Sequence, residues 1–577
     1  MRWVFPAGGL DEIREFAGQV GLAMPAAQVL WNRGYRDPQS ARAFLEGSLD
    51  NLHDPWLLKD MDRAAERLLE AVRRNEPILL YGDYDVDGTS SVVVLKKAIE
   101  LAGGQASFHV PHRLKDGYGM RSEVVEEAAA RGVKLIVSVD TGIRAAEVVA
   151  HAREIGIDVI ITDHHLPEAE LPNALAVLNP NRPDCGYPEK NLCGAGVALK
   201  LIHALFLRLE WPAERTRRLL ESFLKIVAIA TVADVVPLTG ENRVIVKRGL
   251  AGLGTVRNPG LRALLDVAGL AEGARPSASQ IAFRIAPRIN AAGRMATAND
   301  VIDLFTTESV DRARELADQL HRLNQERQEA EAAIVREILA RCEECPITDD
   351  QFALVFSGAD WHRGVVGIVA SRIVDRFHRP TIVLSEENGE AQGSGRSIRP
   401  FHLLDALESM PDLFTRFGGH RQAVGLGLPV EKVAEFRERF NRCARERLTP
   451  EDLEPTLVID GVVRFSDLTD ETVEQVLELA PFGFGNPAPV FAVRAAEVGG
   501  PAEPFGEKHL NVRLRQNGRM LRMKAWQFAD RAFELERGAM LDAAIALEDD
   551  AYSAARGYCP WCAVLKDVRP ARATAGH

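Results

Sequence analysis

The sequence predicts an α/β protein of several domains, on three observations. Short apolar runs alternate with amphipathic segments from Pro77 to Leu178 and again from Phe352 to Arg447. Between these regions, Val310 to Cys342 is rich in Ala, Glu, Arg, Leu and Gln and has no Gly or Pro. From Pro455 onward, short β-type runs are separated by Gly and Pro breaks.

Residues 1–75 read as a helical segment, with Ala64 to Val72 apolar at helical spacing. In 76–270, Ile78–Tyr81, Lys134–Val139, Asp158–Thr162 and Ala174–Leu178 read as strands, with helices from Ser91 to Leu101 and from Arg144 to Ile155. Fully apolar strands alternating with helices predict a parallel sheet covered on both faces. A linker, 271–345, contains one long helix that acts as a rigid connector. The second α/β unit, 346–452, has strands at Phe352–Phe356, Thr381–Leu384 and Ala423–Leu428, and helices at 365–377 and 432–447. In 453–577, five short strands suit a small barrel of oligonucleotide-binding (OB) type: Thr456–Ile459, Val490–Val493, Leu510–Leu514, Leu521–Ala525 and Ala543–Leu547.

Composition excludes several classes. No apolar run reaches the ~18 residues that span a bilayer, so no membrane association is expected. The first residues, Met1 to Pro6, do not read as a signal peptide. Seven scattered cysteines argue against a disulfide framework, and a cytoplasmic location is expected. The pairs Cys342/Cys345 and Cys559/Cys562 lie too far apart in sequence to suggest one zinc site, and read as buried or incidental thiols. A net charge of −12 does not exclude a polyanionic ligand, because local basic patches decide such binding.

The chemistry concentrates at strand ends. Ile78–Tyr81 runs into Gly82-Asp83-Tyr84-Asp85-Val86-Asp87-Gly88, three carboxylates at alternate positions. The next strand ends in Val139-Asp140-Thr141-Gly142, and the third in Thr162-Asp163-His164-His165. Asp234 follows where an apolar helix ends. In open α/β sheets, ligands bind at this carboxyl edge. Each piece alone has a plainer explanation. An EF-hand loop counted from Asp83 needs Glu at its twelfth position, but Val94 stands there and a strand precedes the loop. Asp140 could cap a helix, and a His pair is often only structural. Recurrence at three strand ends argues against coincidence. Carboxylates with one or two imidazoles suit Mn²⁺ or Mg²⁺, and two such ions can activate a water and hold a phosphate.

These three motifs resemble, in order, the signatures of the DHH phosphoesterase superfamily. Thr231-Val232-Ala233-Asp234-Val235-Val236-Pro237-Leu238, Arg288-Ile289-Asn290-Ala291-Ala292-Gly293-Arg294-Met295, Gly418-Gly419-His420-Arg421-Gln422-Ala423-Val424-Gly425 and Pro481-Phe482-Gly483-Phe484-Gly485-Asn486-Pro487 narrow the resemblance to its single-strand-specific 5′→3′ DNA exonucleases. The resemblance covers about residues 50–570 and implies a DHH domain, a long helix, a DHHA1 domain and an OB domain. It implies metal ligands Asp85, Asp87, Asp140, His164 and Asp234, with Asp83 among or next to them, His165 contacting the scissile phosphate or helping the leaving group, and Asp163 orienting a histidine. Implied phosphate and substrate contacts are Arg113, Tyr118, Arg288, Asn290, Arg294, Ser394, Arg396, Gly419 and His420.

The function expected from this likeness is two-metal hydrolysis of single-stranded DNA from its 5′ end, releasing mononucleotides in recombination and repair. The expected partners are DNA, a helicase and a single-strand-binding protein, and the chain is expected to act as a monomer. A DHH phosphodiesterase of short oligoribonucleotides or cyclic dinucleotides is the alternative, although such relatives generally end after DHHA1. A catalytically silent DHH scaffold would have lost ligands, and every ligand position is filled here.

Overall fold

The fold was obtained as a computed structural model describing residues 1–6, 9–113, 116–117 and 119–571. Five parallel strands form the first sheet, in the order Ala106–His109, Ile78–Gly82, Leu135–Val139, Asp158–Thr162, Ala176–Leu178. Both faces are covered, as the unbroken apolar runs require. Ile78, Leu80, Val137 and Ile160 face one core, and Leu79, Tyr81, Ile136 and Ile161 face another. Burying each such side chain contributes about 1.5–3 kcal/mol. The edge strand Ala106–His109 is half-buried and carries Ser107 and His109, which broke the apolar signal.

The first helix of this unit runs Val86–Leu101, five residues longer at its start than Ser91 implied. Asp85 is its N-cap and accepts a hydrogen bond from the Gly88 N–H at 3.0 Å. Asp87 therefore lies in a helical first turn and not on a loop.

The long helix spans Val310–Glu344, capped by Ser309. Leu316 and Leu320 pack into the core of the first unit, and Ile334 and Ile338 into that of the second. One rigid rod thereby joins the two units.

The second unit holds a five-stranded sheet, in the order Arg416–Gly419, Ala423–Pro429, Glu390–Arg396, Thr381–Glu387, Leu354–Ala359. Only its last pair is parallel. In the C-terminal unit Val490–Val498, Met540–Asp549, Trp561–Pro570, Arg519–Ala525 and His509–Gln516 pair in turn. Glu497 and Val498 then pair with Arg515 and Leu514, closing the barrel.

The helical stretch expected up to residue 75 is divided. Leu10–Val20, Met24–Asn32 and Pro38–Glu46 bury Phe16, Leu30 and Phe44 in the barrel core, while Met61–Arg73 packs on the first sheet. Arg2–Val4 pairs with Thr456–Val458, so that expected barrel strand lies outside the closed barrel. The two Cys-x-x-Cys pairs belong to different units, with Cys342 on the long helix and Cys562 on Trp561–Pro570. Among the described residues, no helix is long and apolar enough to cross a membrane.

Candidate metal centre and substrate cleft

Asp83, Asp140 and Asp163 follow directly on Ile78–Gly82, Leu135–Val139 and Asp158–Thr162, neighbouring strands of one sheet. Asp140 has φ +60°, a conformation that Asp tolerates better than most residues. Asp234 is the C-cap of the helix Ala213–Ala233 and reaches in from the side. His164 Nε2 lies 3.2 Å from Asp140 Oδ1, 3.7 Å from Asp234 Oδ2 and 3.8 Å from Asp87 Oδ2.

Among the described residues, potential ligand atoms fall into three groups, each within 4.8 Å: Asp83/Asp85/Asp140, Asp87/His164/Asp234 and Asp140/His164/His165. The first two share no residue, which is the arrangement two neighbouring ions need. Asp83 Oδ1, Asp140 Oδ1, His164 Nε2 and Asp234 Oδ2 are buried and have no hydrogen-bond partner among the described residues. Buried polar atoms are normally satisfied, so these orphans point to a bound group.

Electrostatics agree. Burial pushes Asp83 up to about 8, aided by the charge of Asp85. Burial also raises Asp87, Asp140 and Asp234, and neighbouring carboxylates add to the shift. Burial lowers His164, keeping it neutral and able to offer a lone pair. Oxygen donors with one imidazole fit Mn²⁺ or Mg²⁺.

Close packing fixes the ligands. Both carboxylate oxygens of Asp87 accept backbone N–H groups, from Gly194 at 2.5 Å and Ala195 at 2.8 Å. A Cβ on Gly194 would lie 2.7 Å from the Asp140 Cβ, and one on Gly88 2.5 Å from the Asp83 carbonyl oxygen. Asp163 is fully buried and accepts from the N–H groups of Ile143, His164 and His165 and from His165 Nδ1 at 2.7 Å. Burial opposes its ionisation, but the hydrogen bonds, led by that from His165, outweigh it and lower its pKa.

A cleft of about 610 Å³ opens beside the centre, lined by Thr141, Gly142, Arg144, Asp163, His165 and His420. His420 follows Gly419, at φ +144°, so the second unit faces His165 across the gap. Beside the metal centre a cationic cluster assembles. The Arg113 guanidinium stacks 4.0 Å over Tyr84. Arg294 donates to the Gly364 carbonyl, and Arg396 donates to Ser394 Oγ at 2.8 Å. Burial lowers Arg294 to about 9, with repulsion from Arg113, Arg327 and Arg396 adding to it. A bound anion would relieve that repulsion.

Not every expected contact is assembled. Arg288 lies six residues before Arg294, on another face of their helix, and donates to the carbonyls of Arg284 and Val267. Among the described residues, no hydrogen bond or ion pair joins it to the cluster. Asn290 is half-buried on the same helix. Tyr118 lies outside the described residues. Sequence reasoning missed Tyr84, which stacks under Arg113, and Arg144, which lines the cleft; only the place of Tyr84 between Asp83 and Asp85 could have flagged one of them.

Residues 77–231 match the DHH family N-terminal domain and residues 349–446 the DHHA1 domain, so the chain carries the DHH–DHHA1 domain pair. Residues 459–557 match the RecJ OB domain. The chain is 41% identical to the single-stranded-DNA-specific exonuclease RecJ of Dickeya dadantii, over 84% of this chain and 86% of that one. The chain belongs to the RecJ family. It is 39% identical to the Bacillus subtilis RecJ over 86% of its own length, but spans only 62% of that longer relative. The crystal structure of Thermus thermophilus RecJ with Mn²⁺ superposes with a TM-score of 0.83 at 31% identity, covering 99% of this chain and 80% of that one. RecJ from that organism has also been solved with Mg²⁺.

Proposed function

We propose that this chain is a single-strand-specific 5′→3′ DNA exonuclease that releases 5′-mononucleotides through two divalent ions, Mn²⁺ or Mg²⁺. The observation that carries this reading is the pairing of two geometries. Orphaned carboxylate and imidazole atoms converge at one sheet edge, and Arg113, Arg294 and Arg396 gather beside them.

On this reading Asp83, Asp85, Asp87, Asp140, His164 and Asp234 hold the ions. Bound ions supply an acidified water for attack and balance the charge of the phosphate. With Nδ1 committed to Asp163, His165 presents Nε2 to the scissile phosphate, and His420 approaches from the opposite wall. Arg113, Arg294, Ser394 and Arg396 grip the terminal phosphate, which registers the 5′ end against the ions. The barrel guides the strand by its backbone and bases. The same reading makes the protein a cytoplasmic monomer in recombination and repair, supplied with single strands by a helicase and working beside a single-strand-binding protein.

The test offers 5′-labelled and 3′-labelled single-stranded DNA, duplex DNA and RNA with Mn²⁺, Mg²⁺ or EDTA. Metal-dependent loss of label from the 5′ end of single-stranded DNA is the expected result. Activity confined to very short RNA would contradict it.

A further inference from the structure

Asp234 stands at the start of a loop whose backbone is held in an unusual shape. The next residue, Val235, has φ +58° and is 63% exposed. A β-branched residue rarely adopts that conformation and persists there only when its surroundings impose it. The surroundings here come from a distant part of the chain, the turn Gly483–Asn486 leading into the barrel. The Leu238 N–H donates to the Phe484 carbonyl at 2.8 Å. Gly485, at φ +73°, lies so close that a Cβ there would sit 2.8 Å from Pro237 Cβ and 3.0 Å from its Cα.

The turn is itself rigid. Gly483 and Asn486 exchange backbone hydrogen bonds at 2.8 and 3.1 Å. Asn486 is 1% exposed and its Nδ2 donates to the carbonyls of Leu479 and Pro481. Arg33 braces it from outside, donating to Asn486 Oδ1 and the Pro487 carbonyl. On the other side, Asn242 Nδ2 donates to the Pro237 carbonyl at 3.1 Å. The loop after Asp234 is thus held between two fixed supports.

We propose that the turn Gly483–Asn486 is a positioning element for Asp234, so that the barrel's lead-in sets how tightly the ion at Asp87/His164/Asp234 is held. The inference rests on Asp234 being a metal ligand. Gly485 and Asn486 are not among the candidate ion ligands; they act through the backbone of Val235 to Leu238.

The test measures Mn²⁺ binding directly, by the electron paramagnetic resonance signal of free Mn²⁺, on the full chain and the variants Asp234→Asn, Gly485→Ala and Arg33→Ala. Circular dichroism checks folding, and fluorescence anisotropy with a labelled oligonucleotide in EDTA reads DNA affinity. Gly485→Ala is expected to weaken one of two Mn²⁺ sites about tenfold, leaving the other and the DNA affinity within about twofold. Arg33→Ala, which removes only the outer brace, keeps the question open to test should Gly485→Ala not fold, and is expected to weaken the same site about threefold. Unchanged Mn²⁺ affinities in a folded Gly485→Ala, or in Arg33→Ala where that is the one to fold, would overturn the proposal. So would lost DNA affinity with Mn²⁺ binding intact. If Asp234→Asn itself leaves both sites unchanged, the ligand assignment fails, and the positioning role with it.

Discussion

Asp163 Oδ1 lies 2.7 Å from Nδ1 of His165, two residues further along the same strand end. Burial works against a charged imidazole, but this hydrogen bond and the charge of Asp163 prevail and raise the pKa of His165. The carboxylate fixes the ring orientation and places a proton on Nδ1. Asp163→Asn should therefore lower kcat by about 10²–10³-fold while leaving KM and Mn²⁺ affinity nearly unchanged. Steady-state kinetics with metal titrations check this. A matching loss of Mn²⁺ affinity would make Asp163 part of the metal centre instead.

Removing the cations should make stability fall with pH. In the metal-free protein Asp83 is raised to about 8, and Asp87, Asp140 and Asp234 are raised as well. A carboxyl whose folded pKa exceeds its unfolded value binds its proton more tightly when folded. Its contribution is complete below the unfolded pKa of about 4 and is lost as pH rises towards 8. Mn²⁺ replaces those protons, so the rise in Tm on adding Mn²⁺ should grow steadily from pH 5 to pH 8. Differential scanning fluorimetry with and without Mn²⁺ reads it. A Tm increment that is flat across that range would count against the cluster holding cations.

Arg396 shares the cationic cluster with Arg113 and Arg294 and is lowered by burial and then by Arg113. Arg396→Ala should raise KM for 5′-phosphorylated single strands by about 10–100-fold, the worth of a lost charge-assisted hydrogen bond. Strands ending in 5′-hydroxyl should change little. An equal effect on both substrates would place Arg396 on the strand and not on its terminus.

Arg243 ties three segments together. It is 2% exposed and donates to the carbonyls of Phe44, Leu479 and Ala480. Arg243→Ala leaves those buried acceptors unpaired and should destabilise the chain by about 3 kcal/mol. Urea unfolding would measure it, and a loss below about 0.5 kcal/mol, the level of an ordinary surface change, would contradict the clasp.

Legibility followed burial. Ile78–Gly82, Leu135–Val139 and Asp158–Thr162 are buried almost throughout, so each announced itself as an apolar run, and each pointed to the aspartate at its end. The strands Glu390–Arg396 and Arg416–Gly419 were silent, because glycine there replaces the β-branched signal. Gly393 is needed: a Cβ would lie 1.9 Å from the Val383 carbonyl oxygen of the neighbouring strand. The helix start at Val86 was hidden because Asp, Gly, Thr and Ser fill its first turn. Docking of the N-terminal helices on the barrel was not legible at all, since an apolar face does not name its partner. Arg288 resembled a phosphate contact by motif; in the fold its guanidinium donates to the carbonyls of Arg284 and Val267.

The most direct measurement compares the chain with Asp140→Asn on single-stranded DNA labelled at its 5′ end, with Mn²⁺ present and products resolved by length. Asn is chosen because it tolerates the φ of +60° at this position. The native chain should release a labelled mononucleotide first, and the variant should be slower by about 10³-fold or more while remaining folded and able to bind the strand. Label released from within the strand, or an Asp140→Asn rate close to that of the native chain, would contradict a metal-centred 5′→3′ exonuclease.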